Sequence, residues 1–462
     1  MTNPTLDQAV ESLRPEIVET LSRWIRIPSE KLPPEPDAPF GRPLREMLVT
    51  ALSDAETLGC RTRDFDGYIG DAEIGAGNET MGILVHLDVV PAGDGWAMDP
   101  FGGEVQGDKL YGRGTSDNKG PAVAAMYAMK AVQDAGVHLK KKVRLILGCD
   151  EESGWADIRH YKSRVAMPDF GFSPDAVFPI INTEKGILQL TLSAALAPED
   201  GASIPVYSVH AGERPNVIPG LAKAEIGCED FESLRRELNG TGFDVTAEKL
   251  PNGRIQLIST GVQGHAAKPG DGKNAAGQLL LALSALSAGG GSRAVIRKLA
   301  DSIGVAYDGA GLGIDGSDAI SGSLTLNLGV LRIADGRLHA MIDIRHPVLM
   351  SAEMIAKIIG MRLRDVNISV DVAQQKAPLH VPEESFIVQS LLFVYHRLTG
   401  CEPYTIAIGG GTYSRSMENC VAFGSTLPGA QDLAHQANEH ISIDNLMLSV
   451  RIFAHAIVAL AT

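Results

Sequence analysis

Met81-Gly82-Ile83-Leu84-Val85-His86-Leu87-Asp88-Val89 is a continuous apolar run that breaks into polar residues only at its end. Such a run, without polar alternation, predicts a strand buried on both faces, the kind that sits inside a parallel sheet. The pattern repeats outward from it. Residues 121–135 predict a helix with proline in its first turn. Residues 143–149 predict a second buried strand, and 154–165 the next helix. Upstream, Leu13, Ile17, Leu21, Trp24 and Ile25 stand at helical spacing and predict a helix over 6–27. A proline-rich loop over 28–43 and a helix over 43–58 follow. Strands alternating with helices define an α/β unit with a mixed, mostly parallel sheet and helices on both faces.

Near residue 183 the pattern changes. Strands at 187–192, 255–258, 323–331 and 338–344, with helices at 274–286 and 352–363, describe an α+β arrangement. After Pro378 the α/β character returns, with a helix at 386–398, a strand at 404–408 and a long helix at 443–461. The expected organisation is one α/β domain, residues 1–182 and 377–462, interrupted by a large α+β domain at 183–376. An insert of that length is near the upper end of ordinary domain size.

The bulk properties exclude several classes. A chain of 462 residues is long enough to bury full cores, and 44% hydrophobic with 21% charged residues is ordinary for a globular protein. A formal charge of −15 opposes non-specific binding to nucleic acid or to an anionic membrane, so neither is expected as a partner. The five cysteines (Cys60, Cys149, Cys228, Cys401 and Cys420) are scattered and contain no C-x-x-C pair. They predict neither a disulfide framework nor a thiolate metal site, and they suit a reducing compartment. The N-terminal residues show no basic-then-apolar leader pattern, and no apolar stretch is expected to be long enough to cross a bilayer. The cytoplasm is the expected location.

Five short motifs carry chemistry. His86 and Asp88 end the first buried strand. On one face of a strand end they can serve as a metal ligand and the carboxylate that fixes its tautomer; a structural histidine explains the pair equally well. Asp117 lies in the glycine-rich run Gly112–Gly120 ahead of a helix. It can bridge two cations or simply cap the helix, and the run lacks P-loop spacing. Asp150-Glu151-Glu152 end the second buried strand, the edge at which α/β sheets place ligands, and a cation would offset their mutual repulsion. Asp175 follows Ser173-Pro174, and His435 and His440 flank Glu439 in a polar loop before the last helix. Taken singly each is more often structural. Taken together, two histidines and three carboxylates from five loops of one α/β module suit zinc, cobalt or manganese. Two such cations sharing one carboxylate form a two-metal hydrolase centre.

At these residues the chain resembles the metallopeptidase family of aminoacylase, succinyl-diaminopimelate desuccinylase, acetylornithine deacetylase and peptidase V. The resemblance runs from about residue 10 to the C-terminus and rests on the ordered set, 86–93, 112–120, 150–154 and 173–175. It implies two divalent metal ions, zinc first, with manganese or cobalt as alternatives. It implies His86 and His435 as ligands of different ions, Asp117 as their bridge, and Glu152 and Asp175 completing the sets. It further implies Asp88 as the orienter of His86 and Glu151 as the general base. A cis peptide at Asp117-Asn118 is a family trait. Asn118 stands where relatives often carry aspartate, and His440 stands where an aromatic is common, so His435 and His440 compete for one ligand position. His435 begins the family's H-x-x-x-E pattern and is preferred.

Asp150 to Trp155, the run Gly409-Gly410-Gly411-Thr412-Tyr413 and the long insert resemble the peptidase V-type dipeptidases. That branch implies a lid domain fused in cis, hence a monomer, with His265 as the electrophile for the carbonyl oxygen. It implies Asn216, Arg345, Gly410, Gly411 and Thr412 as substrate-holding positions, with Arg345 taking a free carboxylate. The expected activity is hydrolysis of dipeptides with a free C-terminal carboxylate. The alternatives are an N-acyl amino acid deacylase (desuccinylase or deacetylase) and, in another class, a catalytically silent metal-dependent binding protein.

Overall fold

The computed structural model describes residues 4–431 and 433–462. The chain divides into two compact units, one made of Met1–Thr183, His380–Ile406 and Gly411–Thr462, the other of Glu184–Leu379 and Ala407–Gly410.

In the first unit the sheet runs Arg61–Phe65, Ile69–Ile74, Lys142–Gly148, Thr80–His86, Phe170–Ser173, Cys420–Ala422, Ile180–Glu184. Every residue of Thr80–His86 is buried, as an apolar central strand requires. It pairs in parallel with Lys142–Gly148 on one side and Phe170–Ser173 on the other. His86 stands opposite Gly148, so parallel strands end at one edge. Toward the flank the sheet turns antiparallel, through Ile69–Ile74 and Arg61–Phe65. The alternation read from the sequence started at Met81 and missed this hairpin, whose outer strand is short, polar and mostly exposed.

The helix expected over 6–27 is two helices, Pro4–Ser12 and Arg14–Ile25. Pro15 sits in the first turn of the second, where its missing N–H is harmless; inside one continuous helix it would remove a bond. A second correction concerns apolar length. The helix Ile443–Ala461 has 19 residues and is long and apolar enough to cross a membrane by composition. Most of it is buried within its own unit, where it packs on the helix Lys119–Asp134, which accounts for its hydrophobicity as core packing.

The second unit holds an eight-stranded sheet in the order Val245–Lys249, Ile255–Thr260, Leu221–Ile226, Val206–Ala211, Thr325–Ala334, Arg337–His346, Gly186–Ala195, Ser369–Lys376. All its pairings are antiparallel. Leu188, Leu190 and Leu192 alternate onto one face and pack into a core with Leu279, Leu283 and Ile355 from the helices Ala275–Ala285 and Ala352–Leu363. The sequence reading missed the helices Phe231–Gly240 and Arg293–Ser302. The first carries a legible start signal: Asp230 accepts a hydrogen bond from the Ser233 amide at 2.9 Å.

Candidate metal centre

Three parallel strands of the first unit deliver their side chains at one edge. Thr80–His86 ends on His86, Lys142–Gly148 leads into Glu151 and Glu152, and Phe170–Ser173 leads into Asp175. The fourth contribution comes from the loop before the helix Lys119–Asp134. Gly114 adopts φ +94° there, and a Cβ on Gly120 would lie 2.1 Å from the Thr115 carbonyl oxygen. Only glycine permits that turn and that approach, which explains the glycine-rich run without phosphate.

Asp117 is the centre of the arrangement. Its Oδ1 lies 3.0 Å from His86 Nε2 and its Oδ2 lies 3.2 Å from His435 Nε2. Asp175 Oδ1 lies 3.6 Å from the same His86 nitrogen, and Glu152 Oε1 lies 2.9 Å from the same His435 nitrogen. One carboxylate therefore faces two imidazoles, each accompanied by one further carboxylate. Ligand atoms of His86, Asp117 and Glu152 lie within 4.8 Å of one another, as do those of His86, Glu151 and Asp175. Nitrogen and oxygen donors without thiolate fit a divalent ion of the zinc, manganese or cobalt type, and the spacing fits two such ions. The Asp117–Asn118 peptide is cis.

The electrostatics agree with a cation site. Burial would lower the His86 pKa, but Asp175, Asp117 and Asp88 raise it well above the usual histidine value. Hydrogen bonds to Asp117 and Glu152 raise His435 to about 10. Burial lifts Asp175 to about 6, opposed by His86. Burial, then the charge of Asp175, pushes Glu151 well above the ordinary carboxylate range. Positive charge is what this group of carboxylates lacks.

The candidate residues differ in their surroundings. His435, with φ +63°, faces Asp117 and Glu152, whereas His440 Nδ1 lies 2.9 Å from the Asn438 carbonyl oxygen and its ring packs on Tyr111 at 4.9 Å. Asp117 is not the helix cap; Asn118 holds that position. Asp88 departs from its expected geometry. The strand stops at His86, so the alternation that would align the two side chains ends there. His86 Nδ1 lies 2.9 Å from the Asp88 backbone oxygen and 3.5 Å from its carboxylate, which instead accepts the Glu151 and Glu152 amides at 3.2 and 3.1 Å. Asp150 is fully buried and is held by Lys31 and Ser153, so it is a structural member of the acidic triplet.

In the second unit His265 is exposed on a two-residue strand paired with Val217–Ile218, directly after Asn216. The Asn216 carbonyl accepts the Ala266 amide at 2.9 Å. Arg345 is buried, with Nε and Nη2 on the two oxygens of Asp343 and Nη1 donating to Gly409 at 2.9 Å. Three of its five N–H donors are thus engaged. Gly410 belongs to this unit, while Gly411 and Thr412 belong to the first. The Thr412 hydroxyl accepts the Ser414 amide at 3.2 Å.

Other contributors escaped the sequence reading. Glu439 is fully buried and accepts the amides of Gly114, Ser116 and Asp117 together with Arg113 Nη1 at 2.7 Å. It anchors the loop that presents Asp117, and the H-x-x-x-E spacing was its signal. Asn118 donates to Asp175 Oδ1 and to the Pro174 carbonyl, both at 3.0 Å. Its amide can donate where an aspartate could not, which accounts for the residue found there.

An α/β unit with imidazoles and carboxylates gathered at its parallel strand ends defines a metal-dependent hydrolase. The model of peptidase family M20/M25/M40 matches residues 82–459. The chain belongs to that family and is a metallopeptidase. It is 36% identical over 458 residues to the protein YtjP of Bacillus subtilis (strain 168), covering 96% of this chain and 97% of that one. It is 34% identical over 430 residues to the Beta-Ala-Xaa dipeptidase of Lactobacillus delbrueckii subsp. lactis, covering 91% and 90%. In fold it is similar to human carnosine dipeptidase 1, with a TM-score of 0.59 at 17% identity over 98% of both chains.

Proposed function

We propose that the protein is a dipeptidase that uses two divalent cations and acts on dipeptides with a free C-terminal carboxylate. The observation that carries this reading is Asp117, whose two oxygens face two different imidazoles at 3.0 and 3.2 Å. His86, Asp117 and Asp175 would hold one ion, and His435, Asp117 and Glu152 the other. When bound, such ions supply Lewis acidity toward the scissile carbonyl and toward water.

The chain's own groups do the rest. Glu151 takes a proton from the attacking water and returns it to the leaving amine. Asp88 fixes the Glu151 and Glu152 amides. His265 stabilises charge on the carbonyl oxygen, and Asn216 holds the substrate beside it. Arg345, kept in place by Asp343, offers its remaining donors to the carboxylate, with Gly410, Gly411 and Thr412 as further contacts. In this reading the second unit is a lid supplied in cis, and the working form is a monomer in the cytoplasm. The dipeptidase among the relatives supports the substrate class.

The test is hydrolysis of a panel of dipeptides and N-acyl amino acids by chelator-stripped protein, with zinc, manganese or cobalt restored, beside Glu151→Gln. Dipeptide cleavage that returns with metal and is absent in the variant supports the reading. Cleavage confined to N-acetyl or N-succinyl amino acids would replace dipeptidase by deacylase.

A further inference from the structure

The turn Cys149–Glu152 presents both Glu151 and Glu152, yet it is a short connection that no regular element stiffens. Its four consecutive amides are all held, by two buried carboxylates. Asp88 takes those of Glu151 and Glu152. Asp157 takes the other two, accepting on Oδ2 from Cys149 at 2.7 Å and from Asp150 at 3.0 Å. Asp157 lies outside every motif that pointed to the metal centre. It is fully buried in the first turn of the helix Ala156–Arg164, and its other oxygen accepts the Ile158 amide at 2.6 Å.

A second residue holds Asp157 in place. The hydroxyl of Tyr413, a fully buried side chain, donates to the same Oδ2. The Tyr413 ring meets His86 edge-on, with centroids 6.2 Å apart, and meets Trp155 edge-on at 5.3 Å. Trp155 Nε1 donates to the Glu151 carbonyl at 2.9 Å. One ring therefore touches an imidazole of the cluster, the carboxylate that clamps the start of the turn, and the indole that clamps the residue proposed as base. Room for this depends on Gly148, where a Cβ would lie 2.5 Å from the Tyr413 ring and hydroxyl and 2.8 Å from Asp157 Oδ2.

We propose that Asp157 and Tyr413 are positioning residues that set where the Glu151 carboxylate stands relative to His86, acting through the backbone of the Cys149–Glu152 turn and through Trp155. The inference rests on Glu151 as the base. Neither residue touches substrate in this account. Their effect is geometric: misplacing a reacting group by about 1 Å costs on the order of 100-fold in rate.

The test uses full-length, metal-loaded Tyr413→Phe and Asp157→Asn, both nearly isosteric, with Glu151→Gln beside them. The expected result is a loss of kcat of about 10- to 100-fold in each, as for groups that orient others. KM and the number of bound metal ions stay as in the unaltered protein. The pH dependence of kcat is also expected to move in Tyr413→Phe, because the base changes its surroundings. A purely structural role predicts instead a lower melting temperature with kcat per folded molecule unchanged, and that result would overturn the proposal. If either variant fails to fold, the other carries the measurement, and loss of the fold in both would show a structural role and overturn it as well. Full activity in Glu151→Gln would sink the reading of the base itself. An inactive Glu151→Gln beside fully active Tyr413→Phe and Asp157→Asn would sink only the positioning role.

Discussion

Neighbouring residues in the acidic turn are separated by their surroundings more than by their chemistry. Asp150 is locked by Lys31 and Ser153, Glu152 faces His435, and Glu151 is left with a raised proton affinity beside Asp175. Glu151→Gln is therefore expected to retain its bound metal while kcat falls by about 100- to 10,000-fold, the usual contribution of a general base. Metal analysis beside steady-state kinetics reads both, and loss of an ion in this variant would recast Glu151 as a ligand. The histidines make a second prediction. In the protein alone His435 titrates at about 10 because Asp117 and Glu152 hold its proton. An incoming cation must displace that proton, so metal affinity is expected to rise as pH rises toward about 10 and to weaken below it. Titration calorimetry in buffers of different ionisation enthalpy measures the proton released; affinity independent of pH between 6 and 9 would show that His435 is not a ligand.

At the level of elements, the long apolar strands and their terminal motifs were legible, because a centrally buried strand has no polar alternation and its end is where the sheet opens. His86, Glu151 and Glu152 follow from that logic, whereas Asp117, Asp175 and His435 lie in loops and were legible through the ordered motifs of the resembled family; the structure brings all six together. Glu439 showed only through the H-x-x-x-E spacing, and its fellow support Asp157 was not legible, because it acts on backbone amides, which carry no sequence signature. Nor was the flanking hairpin, whose exposed strand Arg61–Phe65 is polar. One such support has a measurable cost. Burial lifts Asp157 to about 6 in spite of its hydrogen bond from Tyr413. An acid with a raised folded pKa binds its proton more tightly in the native state, so stability falls as pH rises from the unfolded value to about 6. The fall from this one group amounts to about 3 kcal/mol by pH 7. Asp157→Asn is expected to flatten the stability curve over that window, read by chemical denaturation at pH 4, 5, 6 and 7. An unchanged slope would mean that Asp157 is already ionised at pH 4. A buried carboxylate that costs stability at neutral pH and persists is more readily understood as serving the site than the fold.

For the whole molecule, the distribution of the cluster along the chain matters most. His86, Asp117, Glu152, Asp175 and His435 span 350 positions of sequence but lie in one compact unit, assembled from segments on both sides of the insert. A cation held by them ties the N-terminal and C-terminal segments together, and ligand binding to the native state alone stabilises it by mass action. At free metal about a thousand times the dissociation constant, each ion contributes about 4 kcal/mol. The second unit contains its own core, built on Leu188, Leu190, Leu279, Leu283, Ile342 and Ile355, and none of the five residues. Heating the chain with and without chelator should therefore shift one unit and spare the other. The expected calorimetric trace has two transitions, with only the larger unit's moving down by several degrees when metal is withdrawn. Limited proteolysis assigns them, the fragment within 184–379 surviving equally under both conditions. A single transition that moves as a whole would show that the two units unfold as one cooperative body. Two transitions that both ignore the chelator would remove the metal from the first unit, and with it the basis for reading Asp117 as a bridge.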